Sequence, residues 1–146
     1  MDQLLALLEE NARLTNQELA VMLGITEEEV ERRLEQYAKN GVIRGYRVIL
    51  DYEKLDQDLI KAFIEVKVTP KSTHGFDEIA KSIMKFDEVD SIYLMSGGYD
   101  LSVTITGKTF QDVAMFVSSR LAPMDSVIST RTNFVLRRYK EGGIFT

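Results

Sequence analysis

A chain of 146 residues holds one large domain or two small ones, and its 45% apolar and 28% charged content is that of an ordinary folded globular protein. The absence of cysteine excludes a disulfide framework, thiolate metal ligation and a cysteine nucleophile, and no apolar run approaches bilayer-spanning length. The net charge of −5 is uneven, with six Lys/Arg against ten Asp/Glu in residues 1–51 and twelve against thirteen in residues 52–146. Asp2 follows Met1 with no basic leader, so no secretory signal is expected and the location read from the sequence is cytoplasmic.

Asp2 is suited to cap a first helix with Leu4, Leu5 and Leu8 on one face. Asn11 to Thr15 interrupts it, and Thr15 or Asn16 caps a second helix, Thr15 and Glu18 having capping-box spacing. Leu19, Ala20 and Leu23 form the buried face of that helix, and Gly24, free to take positive φ, ends it. Thr26 starts a third helix in which Val30, Leu34 and Tyr37 recur at spacings of four and three, closed by Asn40-Gly41. Val42-Ile43, Arg44-Gly45 and Tyr46 to Leu50 predict a two-stranded wing. Two helices joined by a tight glycine turn, with a third packed before them, make a helix-turn-helix, although helix pairs of this kind also occur in proteins that never meet DNA.

Residues 52–58 are polar and read as a linker between a front domain over 1–51 and a rear domain over 59–146. In the rear domain the pattern changes to period two, with Ile60, Ala62, Ile64, Val66 and Val68 on one face of a strand that Thr69-Pro70 stops. The only histidine, His74, lies in a polar stretch without a second histidine and reads as a loop residue. Phe76, Ile79, Ala80 and Ile83 mark a helix. Residues 89–95 and 101–106 read as strands joined by a turn over 96–100. Phe110, Val113, Ala114, Val117 and Leu121 then mark a second helix, and residues 127–139 a long final strand. The order β-α-β-β-α-β is a split βαβ of ferredoxin-like type, so the whole reads as α+β: a winged helix-turn-helix, then a βαββαβ domain. An uncovered sheet face and a long last strand favour pairing with a second copy.

Taken together, Asp2-x-x-Leu4-Leu5, Asn11-Ala-Arg13-Leu-Thr15, Glu18-Leu-Ala20, Gly24-Ile-Thr26, Val30-x-x-Arg33-Leu34 and Asn40-Gly-Val-Ile43 resemble the front half of the leucine-responsive/AsnC ("feast/famine") regulators. Val89-x-x-x-Tyr93, Gly97-Gly-Tyr-Asp100-Leu, and Thr130-Arg-Thr132 before Val135 and Lys140 extend the resemblance over essentially the whole chain. No single element is specific; their order and spacing are. The resemblance implies a DNA-reading winged helix, an amino-acid-sensing and oligomerising βαββαβ domain, and homodimers that assemble into octamers or similar rings. Two features depart from the pattern. The first helix begins almost at Met1, and Glu27-Glu28-Glu29 stands where the family usually presents small polar residues to DNA.

The N-terminal part of a recognition helix enters the major groove. With Val30, Leu34 and Tyr37 buried, residues 27, 28, 31, 32 and 35 face outward. Arg32 and Arg33 can then reach phosphates or a guanine edge, and Glu27 or Glu28 can accept from a cytosine amino group. Arg44 and Arg47 on the wing can grip backbone, and Thr15, Asn16 and Thr26 can offer hydroxyl, amide and helix-terminal N–H groups to phosphates. The acidic front opposes this use, since nonspecific affinity comes from cationic side chains displacing counterions. The same glutamates also have a purely structural use: they suit the helix dipole, and Glu28–Arg32 and Glu29–Arg33 have favourable i,i+4 order.

The turn Ser96-Gly97-Gly98-Tyr99-Asp100 offers flexible backbone N–H groups for a carboxylate and Asp100 for an ammonium, a pairing that suits a free amino acid. Gly-Gly is equally a favoured hairpin turn with no ligand, and Tyr99 a packing residue. In the resembled family the effector lies at this turn, against the Thr130/Thr132 region, between dimers. Two other classes stand beside the regulator: a sensor whose acidic front domain docks on a protein partner, and a small enzyme. No nucleophile stands beside a base and no phosphate loop precedes a helix, so neither catalysis nor a cofactor or metal is expected.

Overall fold

The computed structural model describes residues 1–70 and 75–145, so His74 lies outside the described residues. They form two compact units, Met1–Val48 and the chain from Ile49 onward.

The first unit contains α1 (Gln3–Glu10), α2 (Asn16–Leu23) and α3 (Glu27–Lys39). Each starts on a side chain that satisfies an otherwise orphaned N–H. Asp2 accepts from Leu4 N at 3.2 Å and Thr26 Oγ1 from Glu29 N at 3.1 Å. Thr15 Oγ1 accepts from Glu18 N at 3.1 Å while Glu18 accepts from Thr15 N at 2.9 Å, a complete capping box. Gly24 ends α2 with φ +66°, which turns the chain in two residues toward the cap of α3. Leu4, Leu19, Ala20 and Val30 are buried, with Leu7, Leu8, Leu14, Leu34 and Tyr37 packed on them. Leu7, rather than the expected Leu5, completes the face of α1, because positions 4, 7 and 8 share one side of a helix.

The expected wing does not form: residues 43–50 carry no strand pairing. Val42 N and Ile43 N both donate to Tyr37 O, at 2.8 and 3.1 Å, so the first candidate strand closes the end of α3 instead of forming a ladder. A lone two-stranded hairpin is at best marginal in water, and the exposed Tyr46 and Val48 add little packing to hold one.

The second unit runs from a 3-10 turn (Tyr52–Leu55) through β1 (Ile60–Val68), α4 (Gly75–Ile83), β2 (Val89–Leu94), β3 (Leu101–Gly107), α5 (Phe110–Phe116), β4 (Val127–Phe134), β5 (Lys140–Glu141) and β6 (Ile144–Phe145). The larger sheet has order β2-β3-β1-β4 with antiparallel neighbours, the split βαβ arrangement expected. Central β1 alternates as its period requires. Ala62, Ile64 and Val66 are fully buried in one core with Ile83, Val103 and Val113 and the nearly buried Ile79, while Phe63 is 42% exposed on the other face. In α5 the buried side is carried by Val113 and Phe116; Phe110 and Ala114, expected there, are exposed. A π-helical turn (Val117–Leu121) adds a residue to the last turn and delivers Leu121 to the core.

The final strand is shorter than residues 127–139. Val135 N still donates to Lys61 O at 2.9 Å, but β1 begins at Ile60, so residues beyond have no partner strand. The chain is held there by side chains. Arg138 donates to Leu50 O at 2.8 Å and to Glu141, and Lys61 lies 2.5 Å from Glu141.

Candidate functional site

Along α3, Glu27, Glu28, Glu31, Arg32 and Glu35 are exposed, while Val30 is buried and Leu34 and Tyr37 are partly so. The hydroxyls of Thr15 and Thr26 each cap a helix, and Asn16 is the exposed first residue of α2. Arg44 donates to Gly41 O at 3.3 Å and Arg47 is exposed; both lie on the unpaired segment that stands where the wing was expected.

Of the two expected i,i+4 pairs, Glu29–Arg33 forms and Glu28–Arg32 does not. Arg32 pairs with Glu29 rather than Glu28: its Nε and Nη2 donate to the two Glu29 oxygens at 2.8 and 2.7 Å, and its Nη1 reaches Gln36 at 3.4 Å. Arg33 Nε reaches the same Glu29 Oε1 at 2.9 Å. The Arg32 hydrogen bond and then that of Arg33 bring the Glu29 pKa down from 4.5 to about 2, so this carboxylate is ionised throughout the neutral range. Glu29 was absent from the candidates read off the sequence. Its signal was there, since it lies three residues before one arginine and four before the other. Arg33 is half-buried and also stabilises the ionised Asp2 cap, which Tyr37 OH holds by hydrogen bond. Arg33 is thereby tied to the interior joint of this unit, and Arg32, 60% exposed, is the arginine at the surface.

In the second unit, Met95 N donates to Asp100 O at 2.8 Å, closing a loop of Ser96, Gly97, Gly98 and Tyr99. Gly97 has φ +151° and nothing within 4 Å of a would-be Cβ, so its space is open. Ser96, Gly97 and Gly98 are exposed, Tyr99 and Asp100 half-buried. Asp100 is an anchor: its N–H donates to Val66 O at 3.1 Å and its carboxylate accepts from Val68 N at 2.9 Å. Thr130 and Thr132 pair with Val66 and Ile64 from the opposite side of β1. Loop and threonines therefore share β1 as a neighbour, but one strand separates them within a chain. A groove elsewhere, lined by Glu88, Thr106, Lys108, Asp112, Phe116 and Arg120, contains none of these residues. No group of three or more carboxylate or histidine ligands gathers for a metal among the described residues. No helix among them is long and apolar enough to cross a membrane.

Residues 2–37 match the AsnC-type helix-turn-helix domain, and residues 61–145 match the Lrp/AsnC ligand binding domain. The chain is 46% identical over 142 residues to YugG of Bacillus subtilis (strain 168), an HTH-type transcriptional regulator, covering 97% of this chain and 86% of that protein. It superposes on the structure of Escherichia coli AsnC with a TM-score of 0.72 at 25% identity, covering 97% of this chain and 95% of that one. The regulator NMB0573 of Neisseria meningitidis, solved as an L-Met complex, gives a TM-score of 0.75 at 29% identity over 97% of this chain and 93% of that one. The two matched domains and their order make this chain a member of the Lrp/AsnC family of helix-turn-helix transcription regulators, a DNA-binding domain followed by a ligand-binding domain.

Proposed function

We propose that this regulator reads duplex DNA with the exposed face of α3 and is controlled by an amino acid held at the Ser96–Asp100 loop. The observation that carries the DNA half is the Gly24 turn: with φ +66° it joins α2 to α3 so that Leu19, Ala20 and Val30 are buried and Arg32 is left outside. Thr15, Asn16 and Thr26 hold the helix entrances against phosphates, and Arg44 and Arg47 follow the backbone from the unpaired segment after α3. Glu27 and Glu28 accept from cytosine amino groups or stand off the duplex, so affinity per copy is weak and strongly salt-dependent.

The open backbone at Gly97 and Gly98, beside the Asp100 carboxylate, suits a ligand carrying both an anion and an ammonium, and the L-Met complex of the Neisseria protein supports that class. Thr130 and Thr132 complete the site from another copy, since β1 stands between them and the loop in one chain. Phe63 and Tyr93, 42% and 60% exposed on the uncovered sheet face, support a dimer that assembles into an octamer or similar ring. Linked copies then share the DNA contacts. The protein acts in the cytoplasm as a regulator and not as an enzyme.

The test is a salt-titrated binding assay on the gene's own upstream duplex against random duplex, with and without a panel of amino acids. Preference for the upstream duplex at low salt, shifted by one or a few amino acids, is expected. Equal binding to both duplexes overturns the DNA reading by α3. A flat amino-acid panel in thermal shift overturns the effector reading.

A further inference from the structure

We propose that Glu29 is an internal competitor for DNA: it occupies the donor edge of Arg32, and thereby sets both the affinity and the base discrimination of the recognition helix. This rests on the reading of α3 as the helix that meets the duplex.

A guanidinium recognises a phosphate, or the O6/N7 edge of guanine, by presenting two parallel N–H groups. Arg32 presents its Nε/Nη2 edge to Glu29, at 2.8 and 2.7 Å, so one of its two donor forks is already filled by a carboxylate. Its Nη1 is engaged with Gln36 at 3.4 Å. Glu29 is itself well anchored: its backbone N–H is held by Thr26 Oγ1 at 3.1 Å, and its Oε1 also accepts from Arg33 at 2.9 Å. A single carboxylate thus binds two arginines, and the three side chains together carry one positive charge where the arginines alone carry two.

In the free protein this pairing does little, because exposed ion pairs contribute little to folding. Docking changes the balance. As the helix approaches the duplex, water is excluded, charge interactions strengthen, and a carboxylate beside the phosphates repels them. Arg32 must then leave Glu29 to offer this fork to DNA, or stay and reach the duplex only through its remaining N–H groups with its charge offset. Glu27 and Glu28 differ in kind: among the described residues neither forms an ion pair, so they add negative charge without holding a cation.

The experiment compares the full-length protein with Glu29→Gln, Glu28→Gln, Arg32→Ala and the double variant Glu29→Gln/Arg32→Ala, on the upstream duplex and on random duplex across a salt series. Gln at position 29 keeps the length and the helix-start preference, so the fold is retained, which a melting curve verifies. Glu28→Gln removes the same charge without releasing an arginine, and on random duplex, where no cytosine contact of Glu28 is in register, it reports general repulsion. Expected is a gain in affinity of roughly tenfold for Glu29→Gln, larger than for Glu28→Gln, with the salt slope steeper by about one phosphate contact. In the Arg32→Ala background that gain falls to the Glu28→Gln level. Equal effects of the two glutamine variants, or an undiminished gain without Arg32, overturn the role of Glu29 while leaving DNA reading intact. If no variant, nor the parent, prefers the upstream duplex, the reading of α3 fails and this inference with it.

Discussion

The phenol of Tyr37 donates to the Asp2 carboxylate, joining the last turn of α3 to the N-cap of α1 across 35 residues of sequence. This contact pulls Asp2 below its usual 3.8, with burial opposing, and pushes Tyr37 above its usual 10.0. The depressed Asp2 adds stability that is present above 3.8 and is lost as pH falls through its folded value. The raised Tyr37 adds stability that is present below 10.0 and is lost as pH rises through its folded value. Tyr37→Phe is therefore expected to lower the melting temperature most between these two limits and to converge with the parent outside them. Melting curves across pH measure this; a difference independent of pH would contradict it.

The capping box of α2 predicts a local effect. Thr15→Ala leaves Glu18 N without its acceptor and should destabilise the first unit by about 1 kcal/mol. Thr15→Ser should restore most of the loss. Urea unfolding followed by helix signal reads both.

Asp100 combines an anchor and a charge, and two substitutions separate them. Asp100→Ala orphans Val68 N and should cost about 1–3 kcal/mol of stability. Asp100→Asn retains an oxygen for Val68 but no charge for an ammonium. It should keep most of the stability while losing the thermal shift caused by the effective amino acid. An Asn variant that still responds fully would remove Asp100 from the ligand site.

The C-terminal hairpin tests strain against contact. Gly142 and Gly143 both have positive φ, +54° and +81°, so alanine at either should cost about 1 kcal/mol or more. Only at position 142 would a Cβ meet a neighbour, Ile49 Cδ1 at 2.5 Å. Gly142→Ala should therefore also loosen the segment around Ile49 and Leu50, read as faster proteolysis there, while Gly143→Ala should not.

Glu141 adds a pH signature to the same region. Lys61 first, then Arg138, holds its carboxyl below the usual 4.5. Its contribution is present above that value and lost as pH falls through the folded one. Acid unfolding of Glu141→Gln should accordingly be shallower than that of the parent.

Short-range chemistry was legible in the residues alone. Asp2, Thr15 and Thr26 cap helices wherever a hydroxyl or carboxylate precedes an amphipathic run, and the alternation of β1 names its buried face, because both depend only on neighbours in sequence. What depended on distant partners was decided only by the tertiary structure. Val42 and Ile43 have the composition of a strand, yet their N–H groups are taken by Tyr37 O. The last strand stops at Phe134 because β1 offers nothing beyond Ile60. Arg32 has two glutamates within reach on the helix, and the conformation of its side chain selects Glu29. Periodicity states which groups seek partners. Which partner each one obtains depends on where the rest of the chain has placed its own donors and acceptors.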